Sequence, residues 1–239
     1  MSTVDASQLL RPGLLEGLSI VLAGAPRGIG GAVVAGAVAD EVAGACAGLG
    51  ARVLELTLDR DRDREPGAED RALEQDVDRL RGEADGSLGL LVVDGAGLFC
   101  HALATAEAAA AGSEASRAAL RVCLAASWSV TRAIVNRAFL LDGHGGRIVY
   151  LAPAADAGDL ASGARRGLEN LARTLSIEWA RHAITTVAVV PASGSQGEAA
   201  RQVGALTAYL ASPAGAYFSG CLLDLSAAGA LGGAVSEQR

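Results

Sequence analysis

Apart from its 27 carboxylates, this chain of 239 residues has few side chains that could move a proton or hold a metal. There are three histidines, His101, His144 and His182, and four cysteines, Cys46, Cys100, Cys123 and Cys221, with no Cys-x-x-Cys pair. No zinc pattern emerges, and dispersed thiols of this kind are expected to be reduced in a cytosol. All 20 cationic side chains are arginine. With no lysine, a Schiff base, a lysine general base and a phosphate-loop lysine are excluded. The clearest chemical pattern is a glycine-rich run, Ala23-Gly-Ala-Pro-Arg-Gly-Ile-Gly30. Glycines after a strand let the backbone turn tightly and approach a pyrophosphate, which then rests on the free N–H groups of a helix start.

The elements around that run fit the purpose. Ser19-Ile-Val-Leu-Ala23 is a short apolar run, read as a buried strand. Residues 28–50 are helical in composition, with a possible break at Ala39-Asp40. Arg52-Val-Leu-Glu-Leu-Thr-Leu58 reads as a second strand, followed by the charged loop 59–70 with its Pro-Gly turn. Residues 71–84 place Leu73, Val77 and Leu80 on one helical face. Gly89-Leu-Leu-Val-Val93, Arg147-Ile-Val-Tyr-Leu151, Ile184-Thr-Thr-Val-Ala-Val-Val190 and Gly220-Cys-Leu-Leu-Asp-Leu225 complete six strands. Helices are expected over 114–140, 161–182 and 198–211. Apolar strands alternating with helices imply a parallel sheet covered on both faces. We read residues 1–239 as a single domain.

Composition limits the partners. The net charge of −7 offers no field to attract nucleic acid or an anionic membrane. No segment presents 18 consecutive apolar residues, and the N-terminus lacks the pattern of a signal peptide, so a cytoplasmic protein is expected. Hydrophobic residues make up 51% but aromatics only 3%, so the core must be built from small and aliphatic side chains.

The spacing of the glycine run, Gly-x-x-x-Gly-x-Gly, resembles the fingerprint of the short-chain dehydrogenase/reductase family. Four further segments resemble that family in the same order. They are Val93-Asp-Gly-Ala-Gly97, Gly146-Arg-Ile-Val-Tyr-Leu151, the long stretch from Leu168-Glu-Asn-Leu-Ala-Arg to Val190-Pro191, and Ala208-Tyr-Leu-Ala-Ser-Pro through Gly220. The resemblance implies a Rossmann-like doubly wound α/β fold with about six strands, helices on both faces and one βα unit fewer than the family pattern. It also implies NAD or NADP as the ligand of the turn, with Gly24, Arg27, Gly28 and Gly30 as contacts. Asp59 would bind an adenosine ribose if the strand before it is the family's second. It would lie under the adenine if that strand is the third, and is otherwise part of the charged loop.

The chemistry that the resemblance implies is missing. Family enzymes carry Tyr-x-x-x-Lys at the start of the long helix, a serine on the preceding strand end and an asparagine on the helix before. Aligned on Leu168-Glu169, these positions fall on Ala161, Arg165, Pro153 or its neighbour Ala152, and Cys123. Alanine transfers no proton, and arginine does not reproduce a compact ammonium. Tyr150 lies inside a strand and reads as packing. Asp159 and Ser162 read as helix caps, and His182 as a cation near a helix end. The segment after Pro191 is too short for a substrate lid.

We therefore expect no catalytic residue here. The chain reads as a non-catalytic subunit that pairs with an active relative, most simply two with two, on a substrate such as a hydroxyacyl thioester. Alternatives are an active oxidoreductase with a relocated proton donor and a nucleotide-sensing regulator. The segment 114–140 carries two apolar stripes, Leu120/Leu124/Thr131/Ile134/Ala138 and Ala125/Trp128/Val135/Phe139. One stripe would face the sheet, leaving Trp128, Val135 and Phe139 for a partner. Helix 161–182 would share the contact, and the tail 231–239 would reach across it.

Overall fold

The computed structural model describes residues 10–26, 33–58, 68–84, 87–108, 112–193 and 196–226. Six strands alternate with helices: β1 Ser19–Gly24, α1 Val33–Gly48, β2 Arg52–Thr57, α2 Ala68–Glu83, β3 Leu88–Val93, α3 Gly95–Glu107, α4 Ser113–Ile134, β4 Gly146–Leu151, α5 Ala161–Glu178, β5 Ile184–Val190, α6 Gln196–Ala211 and β6 Cys221–Asp224. All pairings are parallel, in the order β2-β1-β3-β4-β5-β6. This is a doubly wound sheet: the chain moves outward from β1 to β2, then crosses to β3 and builds in the other direction. The doubly wound order 3-2-1-4-5-6 places the second strand beside the first. Here β2 takes that place, so the missing unit is an outer one, as in the expected six-strand fold.

Strand parity decides which layer each side chain enters. Val21, Ala23, Leu91, Val93, Ile148, Tyr150, Ala188 and Val190 face one cluster with residues of α2, α3, α4 and α5. Ile20, Leu22, Leu90, Val92, Val149, Leu151, Val187 and Val189 face the other, against α1, α6 and Leu15 of the N-terminal segment. Both faces of the central strands are covered, which explains their uninterrupted apolar runs.

Two readings need correction, and one helix was not expected. Helix α1 does not break at Ala39-Asp40. Ala39, Val42, Cys46 and Leu49 are all buried, so the apolar face continues through that point while Asp40 looks outward. The helix α3 has no strong periodic signal in the sequence. Its start is fixed by the N-cap Asp94, whose Oδ1 accepts from the Gly97 N–H at 2.8 Å. At the start of α5, Leu160 sits at the N-cap with φ 64° and no side chain caps the helix, so neither Asp159 nor Ser162 serves.

Helix α4 continues through a five-residue π segment, Val135–Phe139, into the short turn Leu140–Asp142. Helix α2 lies along its second half. Arg132 pairs with Asp70 at 2.6 Å, Arg137 with Asp78, and Arg81 with Asp142 at 2.5 Å. Under these pairs Val77 and Leu80 of α2 are buried, and so are Val135 and Phe139. The run Ser113–Asp142 is long and apolar enough to cross a membrane by composition, yet half of its most apolar window is buried, as in a core helix.

Small residues set the spacing between layers. A Cβ on Gly204 of α6 would stand 2.8 Å from the Glu41 carbonyl oxygen of α1. Backbone cannot yield as a side chain end can. Gly204→Ala is therefore predicted to destabilise the chain by about 1–3 kcal/mol, read as a lower thermal midpoint. Gly44 on the exposed side of α1 has open space. The prediction for Gly44→Ala is a gain of about 0.5–1 kcal/mol by restricting the unfolded chain. Equal effects from the two substitutions would contradict the close α1–α6 contact.

Candidate functional site

In a doubly wound sheet the ligand crevice opens at the carboxyl ends of the strands, where the winding reverses. Here that point lies between β1 and β3. Gly24 ends β1, and its carbonyl accepts from the Leu58 N–H at 2.7 Å. Asp94 follows β3, and its N–H bonds the Ala23 carbonyl at 2.8 Å. A Cβ on Gly24 would approach the Asp94 Cβ to 3.2 Å. The turn is thus pressed against a buried carboxylate. Of the expected cofactor contacts only Gly24 is among the described residues; Arg27, Gly28, Gly30 and Asp59 lie outside them.

Three of the four positions where the resemblance implies proton chemistry, Cys123, Ala152 and Ala161, are buried in one core cluster. Cys123 projects from α4 and its thiol donates to the Gly95 carbonyl at 3.2 Å. A Cβ on Gly95 would meet Leu168 Cδ1 at 2.7 Å, the Leu151 carbonyl oxygen at 3.0 Å and Cys123 Sγ at 3.7 Å. Ala152, Ala161, Ala164 and Leu168 are buried in the same cluster, and Pro153 is buried beside them. The ends of β3 and β4 and the facing turns of α4 and α5 therefore close on one another through small apolar groups.

Arg165 takes no part in this packing. Its Nη1 lies 4.0 Å from Asp224 Oδ2 at the end of β6. Asp224 is held below the usual carboxylate range, first by hydrogen bonding to Ser226 and further by the nearby arginine. The guanidinium has an internal counter-ion at this edge.

Tyr150 is fully buried on the α4 face of β4, with its hydroxyl 3.0 Å from Thr131 Oγ1. Burial pushes its pKa above the ordinary tyrosine value, the Thr131 bond opposing weakly. A ring buried with one hydrogen bond is the role expected of it. His182 is exposed in the short 3-10 turn Ala180–His182 after α5, accepting from Arg181 Nε at 3.0 Å. No group of three or more metal-ligating side chains occurs among the described residues.

The outer stripe of α4 is shorter than the sequence suggests. Val135 and Phe139 are core residues, 0% and 2% exposed: α2 lies along that part of the helix, and the Phe139 ring packs over Gly146 at the start of β4. Trp128 stays 41% exposed, one turn before the α2 contact begins. The signal was available in Arg132, Arg137, Asp70 and Asp78, whose opposite charges mark the α2–α4 seam.

The sequence matches no protein-family model, and no curated protein matches it. The structure does have close relatives in shape. A short-chain dehydrogenase from Mycobacterium smegmatis superposes with TM-score 0.66 at 20% identity, covering 95% of this chain and 96% of that one. A short-chain dehydrogenase/reductase from Serratia marcescens gives 0.61 at 17%, covering 88% and 96%. An enoyl-acyl-carrier-protein reductase (NADH) from Aquifex aeolicus gives 0.62 at 16%, covering 89% and 96%.

Burial raises the Cys123 thiol to about 12, with Asp94 and Cys100 adding smaller contributions, and raises Cys46 to about 12 as well. The thiolate is the nucleophile. The prediction is that iodoacetamide at mildly alkaline pH leaves Cys46 and Cys123 unmodified in the native chain, and labels both after unfolding. Rapid native labelling of Cys123 would show the packed cluster to be open. With the glycine-rich turn at the strand reversal, the parallel six-strand order and these superpositions together, the chain has the short-chain dehydrogenase/reductase fold.

Proposed function

We propose that this chain is a non-catalytic subunit with the short-chain dehydrogenase fold, which pairs with an active dehydrogenase of the same fold. The carrying observation is that Ala152, Cys123 and Ala161 are buried in the apolar core, with Cys123 and Leu168 packed against Gly95. In family enzymes the matching positions supply the carbonyl-orienting hydroxyl, the relay amide and the proton donor. Here they fill space, and Arg165, at the position of the ammonium, faces Asp224 instead. General acid/base assistance is worth about 10²–10⁴-fold, so its loss is not offset by binding alone.

The nicotinamide end does not fit a working cofactor. Arg165 is directed at Asp224, and Ala161 offers no hydroxyl. The chain also passes from Val190 to Gln196 in a few residues, which leaves little to exclude water from a hydride-transfer site. NAD or NADP turnover belongs to the partner in this reading, and any dinucleotide held by the glycine turn is bound weakly. The assembly is two of these chains with two of the active relative, in the cytoplasm. A hydroxyacyl thioester is the proposed substrate class of the complex. The Aquifex relative in shape is an enoyl-acyl-carrier-protein reductase (NADH).

The purified chain is expected to show no NAD(P)-dependent oxidation or reduction of hydroxyacyl or ketoacyl thioesters. Calorimetry should give no micromolar dissociation constant for either dinucleotide. Ala161→Tyr with Arg165→Lys should not create activity, and the tyrosine should cost about 1–3 kcal/mol because Ala161 has no free space. Turnover by the unmodified chain that disappears in Tyr150→Phe would overturn the reading in favour of a relocated donor. Tight dinucleotide binding without turnover would favour a nucleotide sensor instead.

A further inference from the structure

Asp94 stands where the winding of the sheet reverses. It is 5% exposed, and its Oδ2 lies against two glycines: a Cβ on Gly24 would stand 3.7 Å from it, and one on Gly97 would collide with it. The residues that follow the carboxyl ends of β1 to β5 are Ala25, Leu58, Asp94, Ala152 and Pro191. Of these five, only Asp94 carries a charge. The end of β6 adds Asp224, whose charge is matched by Arg165.

Capping alone does not call for that charge. Asn and Ser cap a helix about as well as Asp does, because the cap is an acceptor for one backbone N–H. Here that N–H belongs to Gly97. The carboxylate also offsets the positive end of the α3 dipole. Gly95, Ala96 and Gly97 are buried, so the first turn of α3 offers no compensation to an anion in the crevice. The charge acts on its neighbours: burial raises the Cys100 thiol, and Asp94 raises it further. A pyrophosphate is the anion that a glycine turn at this place would receive. Beside a buried carboxylate it meets a like charge that solvent screens poorly.

We infer that Asp94 is a specificity-determining residue of this crevice, a fixed negative charge that turns away pyrophosphate-bearing ligands and leaves the crevice to uncharged ones. A dinucleotide is then opposed at its phosphates as well as at its nicotinamide end. The inference rests on the non-catalytic reading, in which dinucleotide binding is weak, and names the group responsible for that weakness.

The test compares the full chain with Asp94→Asn, which keeps a cap acceptor and removes the charge, and with Asp94→Ser as a second neutral cap. NAD, ADP and adenosine are titrated against each by calorimetry. Both variants should bind NAD and ADP about tenfold or more tighter than the unsubstituted chain, with adenosine unchanged. Alkylation of Cys100 across a pH series gives a second readout that needs no ligand. Its thiol should titrate lower in Asp94→Asn, with an unchanged circular dichroism spectrum. Arg27, outside the described residues, belongs to the same turn in sequence. If it neutralises Asp94, all three chains will bind NAD and ADP alike, and the inference fails. It fails also if no chain binds NAD, if the gain extends to adenosine, if Cys100 titrates the same with and without Asp94, or if the unsubstituted chain already binds NAD at micromolar concentration. None of these results measures turnover, by which the non-catalytic reading stands or falls.

Discussion

Everything here depends on close approach. A chain with 51% hydrophobic but only 3% aromatic residues has few large side chains to hold the layers of its core apart. Helices and sheet must therefore come together until small groups touch, since interiors are packed to crystal-like density. At Gly95 the contact is between the end of β3 and Leu168 of α5; at Gly204 it is between α6 and the backbone of α1. Any added methyl group at these points would push apart elements that the rest of the sheet needs in register.

The same constraint bears on chemistry. A catalytic tyrosine needs room for its ring, and a relay needs polar groups lined by water. Both require that the carboxyl ends of β3 and β4 stay open. In this chain Leu168, Cys123, Ala152 and Ala161 are buried and contribute to the core. Substituting a single residue would not reverse this, because the helix positions themselves depend on the small side chains between them.

Charge does the work that aromatic packing does elsewhere. Three ion pairs join α2 to α4 and its continuation, each between half-exposed or better buried groups. Singly, such pairs contribute little. Their value is positional, because they set α2 over Val135 and Phe139 and stop short of Trp128. This division separates the inner part of the long helix from the part that faces outward.

The order of elements and the parallel fold were legible in the sequence, because strand-length apolar runs and helical periodicity are local signals. So was the residue content of positions 161 and 165, an alanine and an arginine. Helix α3 was not legible: its start depends on one side-chain cap, Asp94 to Gly97, and its face on packing against α4. Nor could the sequence divide the stripe Trp128, Val135 and Phe139. Those three residues have the same periodicity, and only the placement of α2 and of the start of β4 in space buries two of them and leaves the third to solvent.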